Sequence, residues 1–385
     1  MDPQDDSIVV SLMKRKVSRR DFLKFCGVMA AALAMPKSAA AQIERALASP
    51  KRTPVIWLEL QDCAGCSEAF LRASHPTAVD VILDVLSVDY HETIMAAAGR
   101  QAEEAKHATI EAGGYLLVVE GSIPMAGEGE YCCIGGRSSL DILTEAARNA
   151  VAIVAVGNCA TFGGLPKAKP NPTNAVGVMD IITDKPVLNL PGCPVNPVNL
   201  TATVVHYLTF NELPAMDDLH RPLFAFGQLI HNNCERRGHF DHGEFVRAWG
   251  DAGHRAGWCL YQMGCKGPVS SHNCPVVRYN DGTNWPIGAG HPCIGCSEPD
   301  FWDMNTYEPI QLDAFTPPVT YPSVDGAERA IDPSGAAITG GAVGAVVGAS
   351  LAFGYMVMTN RTRHIEPSIS EEEPSDEAAH AHEAG

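Results

Sequence analysis

Ten of the thirteen cysteines and one histidine fall into three groups whose spacing suits metal binding. The first group is Cys63, Cys66, Cys159 and Cys193; the second is His231, Cys234, Cys259 and Cys265; the third is Cys274, Cys293 and Cys296. Thiolate sulfur is the usual ligand of iron–sulfur clusters. Four ligands complete a [4Fe–4S] cluster and three suit a [3Fe–4S] cluster. The pattern therefore predicts three clusters that together move single electrons.

The third group is one ligand short of the other two. Pro286 lies in the loop seven residues before Cys293, and a proline side chain has no atom that binds iron. We therefore expect one iron corner to be missing there, which gives a [3Fe–4S] cluster. In the second group His231 stands three residues before Cys234, and an imidazole ligand tends to raise the potential of a cluster. His231 could instead be an ordinary surface histidine.

Structural zinc and disulfides are the alternative uses of so many cysteines. A chain of 385 residues is too large to need the disulfides of a small secreted protein. Zinc sites usually bring two close cysteine pairs together, whereas the first group joins one close pair to two distant single cysteines. The spacing thus favours iron–sulfur over zinc. Cys132 and Cys133 fit no group, and we interpret them as structural cysteines.

Residues 50–210 alternate apolar strands with helical stretches, which predicts an α/β domain of the flavodoxin-like, parallel-sheet type. The predicted strands are Val55–Leu60, Tyr115–Glu120, Val151–Val156 and Pro186–Leu190, and the predicted helices include Pro76–Leu86 and Leu140–Asn149. Ligands of such sheets bind beyond the carboxyl ends of the strands. Each cysteine of the first group follows a strand, so we expect all four at one edge of the sheet.

Residues 211–325 lose the regular pattern and are dense in glycine and proline. A segment with so little apolar periodicity is not expected to build a core alone. Bound clusters can supply one, because ligand binding adds directly to the free energy of folding. We therefore predict an irregular iron–sulfur domain that carries the second and third groups.

The N-terminus has the features of a twin-arginine export signal. Arg19-Arg20-Asp21-Phe22-Leu23-Lys24 precedes the apolar run Phe25–Met35 and a stretch of small residues. We predict a signal peptide of residues 1–41, with cleavage after Ala41. Export of the folded protein by this route would let clusters assemble in the reducing cytoplasm before the chain reaches the periplasm.

The C-terminus has the features of a membrane anchor. The segment 335–358 has no charged residue, and 24 residues at ~1.5 Å each span about 36 Å, enough for the ~30 Å core of a bilayer. Arg361 and Arg363 follow at once, which places this end in the cytoplasm. We predict a transmembrane helix over 335–358 and an acidic cytoplasmic tail over 361–385, and the rest of the mature chain on the periplasmic side. The net charge of −17 argues against a nucleic-acid partner.

At this point the residues resemble a known family, the small subunit of membrane-bound [NiFe] hydrogenases of the periplasmic uptake type. The matching motifs are Cys63-x-x-Cys66, Glu120-Gly121-Ser122-Ile123-Pro124, Gly157-Asn158-Cys159-Ala160, Pro191-Gly192-Cys193-Pro194, His231-x-x-Cys234-Glu235-Arg236-Arg237, Asn284-Trp285-Pro286-Ile287-Gly288 and Pro292-Cys293-Ile294-Gly295-Cys296. They occur in one order and cover nearly the whole chain.

The resemblance implies a role for each group. The first would hold the proximal [4Fe–4S] cluster, the third the medial [3Fe–4S] cluster and the second the distal [4Fe–4S] cluster. The nickel–iron centre would lie on a separate large subunit. Electrons from hydrogen would then pass to a membrane cytochrome b or another quinone-reducing partner. Two alternatives remain open: an iron–sulfur subunit of a membrane oxidoreductase that is not a hydrogenase, and a zinc-stapled, membrane-tethered scaffold.

Overall fold

The structure is a computed structural model that describes residues 19–47, 52–72, 86–280 and 282–304. The predicted transmembrane segment 335–358 and the tail 361–385 lie outside the described residues. Among the helices that are described, none is both long enough and apolar enough to cross a bilayer.

A five-stranded parallel sheet forms the centre of the fold. The strands of the described residues are β1 (Thr53–Glu59), β2 (Leu86–His91), β3 (Tyr115–Glu120), β4 (Ile123–Pro124), β5 (Cys133–Ile134), β6 (Arg137–Ser138), β7 (Ala150–Val156), β8 (Ala175–Val176) and β9 (Val187–Leu190). The sheet has the order β2-β1-β3-β7-β9. Counted among its own strands this is 2-1-3-4-5, the order of flavodoxin-like sheets. The remaining strands form two short antiparallel pairs, β4 with β8 and β5 with β6.

Helices join these strands and continue beyond them. They are α1 (Arg19–Ala32), α2 (Ala39–Leu47), α3 (Gly65–Leu71), α4 (Arg100–Ala112), α5 (Ser139–Ala147), α6 (Gly157–Phe162), α7 (Gly164–Lys167), α8 (Pro197–Phe210), α9 (Leu223–Phe226), α10 (Arg237–Asp241), α11 (Ala252–Ala256) and α12 (Cys274–Val277). Short 3₁₀ turns lie at Ala126–Gly129, Val178–Asp180, Ile230–Asn233, Tyr261–Met263, Gly267–Val269 and Phe301–Asp303.

Both faces of the sheet are buried, as parallel sheets require. Alternate residues point to opposite faces, so Leu58 and Leu117 pack with α4 and α5 on one side. Trp57 and Val118 pack on the other side, where α3 and α8 contribute. The sheet is thus the middle layer of an α/β/α arrangement.

The predicted strands are confirmed within one or two residues at each end, but β2 was missed. Leu86, predicted as the end of a helix, begins this strand instead, and residues 73–85 lie outside the described part. The reason is that β2 is a partly exposed edge strand, unlike β9 at the opposite edge, which is buried along its whole length. Its middle residues are only half-buried and include Ser87 and Asp89, so it lacks the continuous apolar run by which the central strands were recognised.

The described residues from 211 onward form short helices and turns around a small core. That core contains Ile230, Leu260 and Trp285, and three cysteines are buried members of it: Cys265, Cys274 and Cys293. Residues near α9 belong elsewhere, since Phe226 packs into the core beneath the sheet. The predicted boundary at 210/211 therefore stays a prediction.

The N-terminal helices cover an apolar face of α8. Phe25 and Met29 of α1 pack with Ile43 of α2 against Ala202 and Val205. Residues predicted to belong to the signal peptide thus pack on the sheet domain.

Candidate functional site

The first group of cysteines meets at the carboxyl edge of the sheet, as its positions after the strands predicted. Cys63 and Cys66 follow β1, Cys159 lies in α6 directly after β7, and Cys193 follows β9. Their sulfur atoms are near enough to interact electrostatically. Charge on Cys159 or Cys193 raises the pKa of Cys66, and charge on Cys63 raises the pKa of Cys159. Burial raises the pKa of Cys159 to about 11, so a metal that binds there must displace the proton.

Two glycines make room for these sulfur atoms. Gly157 has φ +78° and Gly164 has φ +56°, a left-handed region that disfavours other residues. A Cβ on Gly157 would lie less than 3.0 Å from the Cys66 Sγ atom, and one on Gly164 would lie equally close to the Cys159 Sγ atom. Both positions therefore require glycine for conformation and for space.

A buried glutamate fixes the start of the helix that carries Cys66. Glu120, 1% exposed at the end of β3, accepts hydrogen bonds from the backbone N–H groups of Cys66 (2.8 Å) and Ser67 (3.0 Å). It also accepts from the Ser67 hydroxyl at 2.6 Å and from the Trp57 indole at 3.3 Å. A carboxylate at a helix N-terminus is electrostatically favoured, and here it positions a sulfur ligand.

The second group lines one small cavity. His231, Cys234, Cys259 and Cys265 all border it, although they span 35 positions of the sequence. The His231 ring packs edge-on against Phe240, with ring centroids 4.5 Å apart. Burial and the nearby Arg237 lower the pKa of His231 to about 4. The imidazole is then neutral at pH 7, which is its metal-binding form. The alternative of a surface histidine is wrong, since His231 is buried.

The third group lines a separate cavity together with Pro286. Cys274, Cys293 and Cys296 border this cavity, and Pro286 lies on the same wall. Burial raises the pKa of Cys293 to about 12. Pro286 lines the same cavity as the three cysteines, and the three-ligand [3Fe–4S] site stays a prediction.

The three groups follow one another in space in the order first, third, second. Asn158, next to Cys159 of the first group, donates its side-chain amide to the carbonyl of Cys296 in the third group at 3.0 Å, and Cys193 and Cys296 are near enough to interact electrostatically. Cys265 of the second group accepts a hydrogen bond from the backbone N–H of Cys293, at 3.4 Å. The third group is therefore in contact with both of the others, and the sites form a continuous series.

The spacing of the ligand atoms fits clusters better than single zinc ions. A tetrahedral zinc about 2.3 Å from each sulfur holds the sulfur atoms roughly 3.8 Å apart. Among the described residues, no three ligand atoms of a cysteine group all lie within 4.8 Å of one another. A cluster of several irons separates its ligands more widely than a single ion does. The residues present therefore fit iron–sulfur clusters.

Backbone N–H groups point at several of the sulfur atoms. Cys66 accepts from Val195, Cys234 from Arg236, and Cys293 from Gly295, each at 3.4 Å. Hydrogen bonds of this kind stabilise negative charge on a thiolate and help set the potential of a cluster.

Sequence reasoning missed the polar residues around the first group. The carboxylates of Glu59, Asp62 and Glu120 lie within 4.8 Å of one another, and burial together with Glu120 raises the pKa of Asp62 to about 7. The sequence could have indicated these carboxylates, because they lie at or just after the carboxyl ends of β1 and β3, where the first group of cysteines is predicted. Cys132 packs against the core beside the sheet, as predicted for a structural cysteine, whereas Cys133 is exposed.

Two family models match the chain. Residues 63–207 match the family described as NADH ubiquinone oxidoreductase, 20 Kd subunit, and residues 226–308 match the C-terminal family of NiFe/NiFeSe hydrogenase small subunits. The second and third groups lie in the second match.

Curated relatives and solved structures agree with the second model. The chain is similar to the hydrogenase-2 small chain of Escherichia coli strain K12, with 44% identity over 87% of this chain and 91% of that one. It is also similar to the quinone-reactive Ni/Fe-hydrogenase small chain of Wolinella succinogenes, with 46% identity over 77% and 85%. A crystal structure of the reduced, active Ni-Fe-Se hydrogenase of Desulfomicrobium baculatum aligns with TM-score 0.64 and 36% identity, covering 68% of this chain and 100% of that one. The chain therefore belongs to the family of [NiFe] hydrogenase small subunits.

Proposed function

We propose that this chain carries electrons from hydrogen oxidation at the nickel–iron site of a partner large subunit to an acceptor at the membrane. Cys63, Cys66, Cys159 and Cys193 would hold a proximal [4Fe–4S] cluster. Cys274, Cys293 and Cys296 would hold a medial [3Fe–4S] cluster, and His231, Cys234, Cys259 and Cys265 a distal [4Fe–4S] cluster. When bound, such clusters accept and release one electron at a time.

One observation carries this proposal: the three groups form a series linked by hydrogen bonds, from Asn158 beside Cys159 to Cys296 and from Cys293 to Cys265. A scaffold protein has no need to bring separate metal sites into contact, whereas electron transfer requires short gaps. Cys63 and Cys193 are exposed at the outer end of the series. That edge is a natural place for the large subunit to cover.

Replacement of Cys259 by alanine in the complex tests the proposed direction of electron flow. It removes a ligand at the far end of the series. We expect hydrogen–deuterium exchange, which needs only the nickel–iron site, to stay near the wild-type rate. Hydrogen-driven reduction of quinone should fall more than tenfold. Replacement of the exposed Cys133 is the matched control and should change neither rate. Unimpaired quinone reduction by a Cys259→Ala complex that lacks the distal cluster would contradict the proposal.

We further propose that the protein is exported by the twin-arginine route and held at the periplasmic side of the membrane by residues 335–358. The arginine pair and the uncharged segment support this. The partner there would be a cytochrome b or another quinone-reducing membrane subunit, and the name of the Wolinella succinogenes relative is consistent with quinone as acceptor.

Substitution of Gly344 by leucine is expected to weaken the contact with this membrane partner. Gly340, Gly344 and Gly348 recur at every fourth position, and small residues at this spacing let transmembrane helices approach closely. Affinity purification of the large subunit should recover less of the membrane partner from the variant, with unchanged iron content. Alanine at Gly344 is the control, because it preserves a small side chain. Equal recovery from leucine variant and wild type would count against this contact.

An iron–sulfur subunit of a different membrane oxidoreductase is not favoured. The match of residues 63–207 to the NADH ubiquinone oxidoreductase family accounts only for the sheet domain and the first group. The other two groups lie where the hydrogenase family matches.

A further inference from the structure

One buried histidine contacts a sulfur atom of the third group. His272 is 2% exposed, and its Nδ1 atom lies 2.9 Å from the Sγ atom of Cys274. A thiolate that binds iron carries no proton of its own. The contact is therefore a hydrogen bond only when the proton is on Nδ1 and the imidazole donates it to the sulfur.

The packing around the ring holds it in this orientation. Phe226 meets the imidazole edge-on, with ring centroids 5.0 Å apart, and Tyr279 stacks on it at an interplanar angle of 23°. The backbone N–H of His272 donates to the carbonyl of Gln228 at 3.2 Å. The ring is thus held by residues from two separate segments, Phe226 to Gln228 and Tyr279, and its N–H has a defined direction.

We propose that His272 is a positioning residue that donates an N–H···S hydrogen bond to Cys274 and thereby raises the reduction potential of the cluster at the third group. This inference rests on the proposed function, because it assigns a cluster to Cys274, Cys293 and Cys296. Reduction adds negative charge to a cluster and its sulfur ligands. A donor aimed at one of those sulfurs stabilises the reduced form more than the oxidised form.

The place of His272 in the series gives this hydrogen bond a consequence for electron flow. The third group contacts the first and the second, so its potential affects both transfers. Backbone donors to the other sulfurs cannot be removed by substitution, whereas a side-chain donor can be. A substitution at His272 can therefore change the reduction potential of the cluster in the middle of the series.

The test is a redox titration of the purified holo complex, monitored by EPR, with three variants. His272→Phe keeps an aromatic ring and removes the donor. His272→Asn restores the donor, because the amide nitrogen of asparagine is bonded to Cγ, as Nδ1 is in histidine. His206→Phe removes a histidine of α8 whose ring contacts the carbonyl of Glu212 and the ring of Phe210 and no cysteine of the three groups among the described residues, and is the matched control.

We expect His272→Phe to lower the potential of the medial cluster. At the wild-type midpoint its oxidised-to-reduced ratio should rise about tenfold, which for a one-electron couple is ~59 mV. His272→Asn and His206→Phe should stay near the wild-type value, and the other two clusters should not move. A His272→Phe complex with full iron content and an unchanged medial potential would overturn the inference. Absence of any [3Fe–4S] signal from the wild type would instead overturn the proposed function.

A second measurement does not depend on whether the His272→Phe complex assembles. Pulsed EPR of oxidised wild-type complex containing ¹⁵N-labelled histidine, recorded at the field of the [3Fe–4S] signal, observes this cluster alone among the iron–sulfur clusters, since oxidised [4Fe–4S] clusters are diamagnetic. A ¹⁵N coupling to this cluster is expected, and its loss in His272→Asn would assign it. A spectrum of the wild type without such a coupling would overturn the inference.

Discussion

Replacement of Gly157 by alanine is expected to abolish hydrogen-driven electron transfer by the complex. The new methyl group would lie less than 3.0 Å from the Sγ atom of Cys66. A Cβ atom in a folded protein does not come this close to an atom to which it is not bonded. Cys66 is a buried residue of α3, and its backbone N–H is bonded to Glu120, so it has little freedom to move. The ligand must therefore shift, and we expect loss of the proximal cluster and a fall of at least a hundredfold in hydrogen-driven dye reduction.

The control for this variant separates crowding from backbone strain. Gly136 has φ +81°, close to the +78° of Gly157, but a Cβ there would have no neighbour within 4 Å. Alanine at Gly136 carries only the cost of a left-handed conformation, about 1–2 kcal/mol. Its cluster content and activity should match the wild type. If Gly157→Ala retained the proximal EPR signal, the crowding argument would be wrong.

Loss of the Glu120 side chain is expected to have the second largest effect. Alanine there leaves the N–H groups of Cys66 and Ser67, the Ser67 hydroxyl and the Trp57 indole without their acceptor. Hydrogen bonds to a charged group contribute about 1.5–3 kcal/mol each and do not add fully, so we expect roughly 3 kcal/mol of lost stability. The proximal cluster should be released at a lower denaturant concentration, which visible absorption can follow.

The matched control for Glu120 is an exposed glutamate on a helix. Glu104 pairs with Arg100 at 3.5 Å, and both side chains are largely exposed. Such pairs contribute at most about 1 kcal/mol, so Glu104→Ala should release the cluster at nearly the wild-type denaturant concentration. Equal sensitivity of the Glu120 and Glu104 variants would show that Glu120 does not hold the start of α3.

The sequence is most informative where a buried strand appears as a continuous run of apolar residues. The central strand β7 is apolar along its whole length and β3 is apolar up to Glu120, and both are predicted within a residue. Cys159 follows β7 and Cys193 follows the fully buried β9, which is why their meeting with Cys63 and Cys66 could be predicted from fold geometry alone. The edge strand β2 has half-buried polar residues and gave no such signal.

The contacts that orient the ligands could not be predicted, because they join residues far apart in the chain. Glu120 lies 54 positions from the Cys66 N–H that it binds. The side chain of Asn158 donates to the carbonyl of Cys296, which lies 138 positions away. No local pattern encodes which atoms meet across such distances. The role of His272 likewise depends on the direction of its ring, which Phe226 and Tyr279 determine.

EPR of the purified complex, oxidised and then reduced, with iron and nickel analysis of the same sample, tests the central claim most directly. We expect a [3Fe–4S] signal on oxidation, interacting [4Fe–4S] signals on reduction and nickel in the co-purifying large subunit. Zinc in place of iron would contradict the three-cluster series. Iron without nickel in an intact complex would leave the series in place and contradict hydrogen as its source of electrons.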